Sequence, residues 1–174
     1  WEYVSQIINL TQTTSASYLL LSSLDISRRN LYMRGETSFA KVAEMAEYAR
    51  EEINSIGGYY AYGRELKNGS SIYDFDVTKL SVYTRDIGLA GIEVYDLLRD
   101  EYDIQIEFGD IANILAYVSI GDRIQDIERL VGALADIKRL YSRDPSKMLN
   151  TEYIAPKVVV SPQEAFYAKD EPLP

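Results

Sequence analysis

The sequence predicts an α/β protein whose main body is a two-layer α+β domain. Its helices lie on one face of a small sheet in the order β-β-α-β-β-α, after a leading strand and two helices. Three observations carry this expectation. Apolar residues recur at helical spacing between Ser17 and Ile53; the pair Gly57-Gly58 then marks a change of period; and beyond it short β-type runs alternate with two amphipathic stretches as far as Tyr141.

Val4 to Leu10 is short, apolar and β-branched, and it runs into the hydroxyl-rich segment Thr11 to Ser17, so it reads as a strand followed by a turn. Leu20, Leu21, Leu24, Leu31 and Tyr32 share one side of a helix over Ser17 to Met33, and Gly35 offers a stop. A second helix is expected from Thr37 or Ser38, where a hydroxyl can accept from the free N–H groups of a first turn, with Phe39, Val42, Ala46, Ala49 and Ile53 as its apolar face.

Past the glycine pair, Tyr59 to Tyr62 reads as a strand, Lys67 to Ser70 as a turn and Lys79 to Thr84 as a second strand. Ile92, Tyr95, Leu98 and Tyr102 mark a helix between Gly88 and Tyr102. Ile104, Ile106 and Phe108 alternate cleanly as a strand, and Ile114 to Ile120 is apolar enough for a central strand. Asp122 with Gln125 resembles a capping box opening a helix to Tyr141, whose face is Ile124, Ile127, Val131, Leu134 and Tyr141. Pro145, Pro156, Pro162 and Pro172 then indicate an extended arm over 144–174, with one short strand at Lys157 to Val160. The expected divisions are 1–57, 58–143 and 144–174.

Composition removes whole classes of chemistry. The chain has 174 residues, no His and no Cys, so it holds no Ser-His-Asp or Cys-His triad, no thiolate nucleophile and no zinc site of the usual Cys/His type. With 18 Lys+Arg against 27 Asp+Glu the net charge is −9, which argues against phosphate-rich partners, so neither nucleic acid nor an anionic membrane is expected. No segment has the length of apolar sequence a membrane span requires, and a cytoplasmic location is the expectation. The chain opens at Trp1 and closes at Leu173-Pro174, so it is expected to be part of something longer.

Several constellations could carry chemistry. The hydroxyls of Thr11 to Ser17, placed before a helix, could hold a phosphate together with the helix's free N–H groups, although by itself such a run also serves as an ordinary N-cap and turn. Glu107, opposite Ile106 in an alternating strand, could meet a substrate ammonium group or simply face solvent. Asp74 and Asp76 are spaced for one face of a strand and could bind a cation, but two carboxylates do not make a metal site, and none is expected. Asp96, Arg99, Asp100, Glu101 and Asp103 read as a solvated helix face, and the 15 tyrosines as core and subunit-interface material.

The run Gln12-Thr13-Thr14-Ser15-Ala16-Ser17-Tyr18, followed by Leu19-Leu20-Leu21-Ser22-Ser23-Leu24-Asp25, resembles a segment of the Orn/Lys/Arg decarboxylase family, with Ala16 where that family has proline. The resemblance continues through Asp76-Val77-Thr78-Lys79-Leu80, Gly88-Leu89-Ala90-Gly91, Ile104-Gln105-Ile106-Glu107, Ser119-Ile120-Gly121-Asp122 and Val160-Ser161-Pro162-Gln163-Glu164-Ala165-Phe166-Tyr167. It implies the carboxy-terminal portion of a pyridoxal-phosphate enzyme of aspartate-aminotransferase fold type I. On that reading 1–57 is the end of a cofactor-binding domain with its interface loop, and 58–143 is a small substrate-side domain.

The same resemblance implies that Thr13 and Ser15 reach the cofactor phosphate across a homodimer or higher homo-oligomer interface, and that Glu107 stands near the distal amino group of arginine, lysine or ornithine. The family's Ser-x-His-Lys segment, with its Schiff-base lysine, has no counterpart among these residues. No catalytic residue is therefore assigned, and the chain alone is expected to be inactive. Two alternatives stay open on the residues themselves: a non-enzymatic α+β amino-acid-sensing domain, and an oligomerisation module.

Overall fold

The computed structural model describes residues 1–12, 15–147 and 157–168. Its first element is α1 (Glu2–Thr11), a helix where a strand was expected. Val4, Ile7 and Ile8 satisfy a three-to-four-residue period as well as a β-rich composition does, and a short apolar run without turn residues inside it leaves the two readings equivalent.

The next element, α2 (Tyr18–Ile56), is a single helix of 39 residues rather than two. Gly35 fails to stop it because a glycine terminates a helix by turning into the left-handed region, and Gly35 is absent from the positive-φ residues. Inside a helix a glycine costs only about 1 kcal/mol against alanine, less than breaking a turn of backbone hydrogen bonds. The helix ends instead at Gly57 and Gly58, both at φ 73°, where the Lys138 ammonium donates to the Ile56 carbonyl at 2.6 Å.

The sheet has four antiparallel strands in the order β1-β2-β4-β3: β1 (Tyr60–Ala61), β2 (Lys79–Tyr83), β3 (Phe108–Gly109) and β4 (Asn113–Tyr117). Leu80 pairs with Ala116 and Val82 with Ile114, all four buried on one face; Lys79, Ser81, Tyr83, Leu115 and Tyr117 alternate onto the other. Helices α2, α3 (Gly91–Tyr102) and α4 (Ile124–Tyr141) cover the first face. Val42, Ala46, Ala49 and Ile53 of α2 meet Val94 and Leu98 of α3 and Leu130, Leu134 and Ile137 of α4 in one core. The predicted small α+β domain, with helices on one side of its sheet, is the fold observed.

Two close approaches fix the α3 end of the sheet. A Cβ on Gly91 would overlap the Asn113 carbonyl, and one on Gly109 would overlap the Gly91 carbonyl, so bare backbone is required where α3 starts against the β3-β4 turn. The Ile104 to Phe108 stretch is mostly irregular, because Asp103 ends α3 at φ 52° and the Ile104 N–H turns back to the Leu98 carbonyl at 2.8 Å. Only Phe108–Gly109 pairs as strand.

Two further corrections concern caps and the tail. Helix α4 starts one residue later than expected. The Asp126 carboxylate accepts from the Arg123 N–H at 3.0 Å, and Asp122 instead accepts from the Ser119 N–H at 2.6 Å, closing the loop after β4. Lys157 to Val160 is not a strand; it leads into α5 (Pro162–Tyr167), where Ser161 and Glu164 exchange the reciprocal bonds of a capping box and Pro162 occupies the first turn. The remainder of the expected arm, 148–156 and 169–174, lies outside the described residues.

Candidate functional site

Glu107 stands on the irregular segment between α3 and β3, its N–H bonded to the Leu115 carbonyl at 2.9 Å. It is exposed, and it lines a cleft of about 430 Å³ between this segment, β4 and the first turns of α4. Ile106, Ala116, Val118, Ile127 and Leu130 give the cleft an apolar floor, and its rim carries four carboxylates, Asp103, Glu107, Asp122 and Asp126, against one cation, Arg129. Arg129 lies 3.8 Å from the Asp103 carboxylate and also donates to the Tyr102 carbonyl and, at 2.9 Å, to the Asp103 carbonyl at the end of α3. The backbone N–H of Arg123 and then its side chain hold the Asp126 carboxyl below the usual carboxylate range, so that rim charge persists to low pH.

The apolar floor suits an alkyl chain, and the acidic rim suits a cationic head group on it. Asp103 read in sequence as part of a solvated helix face and Asp122 as a helix cap. Neither was joined to Glu107, because the left-handed turn at Asp103 that brings α3's end to this rim has no local sequence signal. The i, i+4 spacing of Asp122 and Asp126 across a helix start was the signal available.

The second expected site divides differently. Thr13 lies outside the described residues. Ser15 is exposed and non-helical, three residues before the start of α2. Ser17 occupies the N-cap position of that helix in extended backbone (φ −95°, ψ 122°), yet its side chain makes no cap hydrogen bond. Hydroxyls beside the uncapped N–H groups of a helix start form a donor set that suits a phosphate. Residues 15–17 carry no amine, so they fit the phosphate end of a cofactor such as pyridoxal phosphate and not its carbonyl end. Ser15 is not among the residues lining the Glu107 cleft.

The remaining candidates are occupied by local structure. Asp74 pairs with the Lys67 ammonium at 2.9 Å and accepts from the Phe75 N–H; Asp76 accepts from the Thr78 hydroxyl at 2.7 Å and its N–H at 3.0 Å. These carboxylates lie in irregular chain before β2 rather than along one strand face, and no cluster of metal-ligating side chains occurs among the described residues. Arg99 bridges Asp96 and Asp100 on the surface of α3, as a solvated helix face would. Of the tyrosines, Tyr59 belongs to the core, its hydroxyl donating to the Leu134 carbonyl at 2.9 Å.

Sequence reasoning missed Arg50, which is 4% exposed and donates to the Tyr62, Val77 and Lys79 carbonyls, with its guanidinium 5.3 Å from the Phe75 ring centre. It ties the long 62–79 connection to α2.

Fold and site together define a small α+β domain with an acid-rimmed cleft at the edge of its sheet. Over nearly its whole length the chain is similar to proteins named arginine decarboxylase. It is 34% identical to that of Bacillus cereus over 99% of the chain, 36% to that of Halalkalibacterium halodurans over 98%, and 35% to that of Bacillus subtilis over 98%. The chain spans 38%, 35% and 36% of the length of these relatives, respectively. No protein-family profile and no solved structure matches it. No helix among the described residues is long and apolar enough to cross a membrane.

Proposed function

We propose that these residues are the substrate-side portion of a pyridoxal-phosphate-dependent basic amino acid decarboxylase, working in a homodimer or larger homo-oligomer, with arginine favoured over lysine and ornithine as substrate. The observation that carries the reading is the Glu107 cleft: an apolar floor under a carboxylate rim, in a chain similar throughout to arginine decarboxylases.

Pyridoxal phosphate, when bound, supplies the electron sink that lets the bond to the substrate carboxylate break. This chain's residues bind and orient. Glu107 takes the distal guanidinium, whose planar fork matches a carboxylate, while Asp103, Asp122 and Asp126 raise the local concentration of cations. The apolar floor packs the three methylenes of the side chain and keeps water from the stem. Thr13 and Ser15, with the first N–H groups of α2, grip the phosphate of the cofactor in the neighbouring subunit. The amine that captures the cofactor carbonyl belongs to the part of the longer protein not matched here, so the 174-residue chain does not decarboxylate arginine by itself.

The reading is tested by placing this chain in the Bacillus subtilis relative in place of the region it matches, and measuring arginine turnover by the graft and by its Glu107→Gln variant. Loss of one charge-assisted bond, about 1.5–3 kcal/mol, predicts a KM for arginine raised at least about tenfold with kcat less affected. An unchanged KM would remove Glu107 from the substrate site.

A further inference from the structure

Asn68 and Gly69 stand side by side in the 62–79 connection, both exposed. Gly69 is at φ 71°, a turn conformation that glycine takes without strain, and a Cβ there would meet nothing within 4 Å. The Ile72 carbonyl closes the turn, accepting from the Asn68 N–H at 3.1 Å and only weakly, at 3.4 Å, from the Gly69 N–H.

The Asn68 side chain is gripped more firmly than an exposed amide requires. Its Oδ1 accepts from the backbone N–H groups of Ser70, Ser71 and Ile72 at 3.0, 2.9 and 3.1 Å, and from the Ser70 hydroxyl at 3.1 Å. Its Nδ2 donates to the Ser71 hydroxyl oxygen at 2.9 Å. An ordinary Asx turn is made by the bond from two residues on, so the bonds from Ser71 and Ile72 go beyond it. Three N–H groups converging on one carbonyl oxygen are the arrangement that stabilises negative charge developing there. The nitrogen next along the chain, that of Gly69, has no side chain beside it to block an approach to the Asn68 amide carbon.

We propose that Asn68 is a self-catalysed deamidation site, its own loop supplying the oxyanion donors and the proton for the leaving group. The Gly69 nitrogen, losing its proton to hydroxide, attacks Asn68 Cγ, and charge gathers on Oδ1 among the three N–H groups. The Cγ–Nδ2 bond breaks as the Ser71 hydroxyl protonates Nδ2, ammonia leaves, and Ser71 recovers its proton from water. Water then opens the cyclic imide at either carbonyl, giving aspartate or isoaspartate. The net reaction consumes one water and releases one ammonia.

Either product adds a negative charge to a chain already at −9. Isoaspartate also lengthens the main chain by a methylene, in the connection that Arg50 holds through the Tyr62, Val77 and Lys79 carbonyls. The proposal makes no use of decarboxylase chemistry, so it stands or falls independently of the proposed function.

The 174-residue chain is kept at mildly alkaline pH in buffer and, in parallel, unfolded in guanidinium chloride. The Asn68 peptide is followed by mass spectrometry for a gain of about one dalton, and isoaspartate is counted by enzymatic methylation. The expected result is conversion at least about tenfold faster in the folded chain than in the unfolded one, with Ser71→Ala cutting the folded rate about tenfold and leaving the unfolded rate unchanged.

Conversion in the folded chain no faster than in the unfolded one overturns the proposal, because the loop then shields the amide instead of activating it. So does a Ser71→Ala chain, shown by circular dichroism to be folded, that converts as fast as the parent. Should Ser71→Ala not fold, the comparison of folded and unfolded parent chain decides alone.

Discussion

The carboxy-terminal half of α2 lies in the core of the domain while its amino-terminal half touches little else, although both are the same unbroken helix. Val42, Ala46, Ala49 and Ile53 are small or branched side chains in a single stripe, which lets the helix sit close on the sheet, while the opposite side carries Glu44, Glu47, Glu51 and Glu52. Tyr18 to Met33 has no such division into two sides, its apolar residues being interrupted by Asp25 and by Ser27 to Asn30. The difference teaches that burial and not helix continuity separates the halves: the α+β domain stabilises one by burial, and the other has no buried residue.

Substitutions in the core that packs on the buried half and substitutions on the bare half should therefore differ most. Leu134→Ala, at a fully buried position on α4 facing α2, is expected to cost the isolated chain about 3 kcal/mol by urea denaturation, whereas Leu24→Ala should stay within about 0.5 kcal/mol. Equal losses would mean that the bare half is already packed.

Glycines sharpen the same contrast. Gly91→Ala drives a methyl into the Asn113 carbonyl and is expected to cost about 2–3 kcal/mol, while Gly35→Ala, with nothing nearer than Leu31 at 3.9 Å, should raise helix stability by about 1 kcal/mol, seen by circular dichroism on heating. A destabilising Gly35→Ala would contradict the continuous helix.

Arg50→Met tests how the buried half holds the 62–79 connection. Three carbonyls lose their donor, so about 2 kcal/mol of stability should go, with early proteolysis between Gly63 and Thr78.

The smallest effect is expected at Tyr59. Burial pushes its phenol above the ordinary value of 10, so the folded state holds the neutral form. Its contribution is complete below pH 10 and is lost as pH rises from there toward the raised folded value, because only the unfolded chain ionises readily. Tyr59→Phe should cost about 1 kcal/mol at pH 8 and flatten the alkaline fall in stability; an unchanged alkaline slope would place the sensitivity elsewhere.

Much of the domain was legible in the sequence because its elements have clear periods: Lys79 to Tyr83 and Ile124 to Tyr141 fall within the predicted stretches, and Asn113 to Tyr117 begins one residue before the stretch predicted from Ile114. The misreadings have physical causes. Val4 to Leu10 is too short and too uniformly apolar to declare a period, and Gly35 carries a stop signal that its neighbours' hydrogen bonds outweigh. The Ser161-Pro162-Gln163-Glu164 capping box was present but obscured by the prolines around it. Of the site, the resemblance singled out Glu107, but the carboxylates beside it come from three different segments, and only the folded chain gathers them.

The central claim is that these residues complete an arginine decarboxylase whose carbonyl-capturing amine lies elsewhere in the longer protein. The most direct measurement is release of carbon dioxide from arginine, with pyridoxal phosphate present, by the chain alone and by the graft in the Bacillus subtilis relative. The account predicts none from the chain and turnover from the graft. A folded, cofactor-loaded graft that leaves arginine intact, or a chain that decarboxylates arginine unaided, would contradict it.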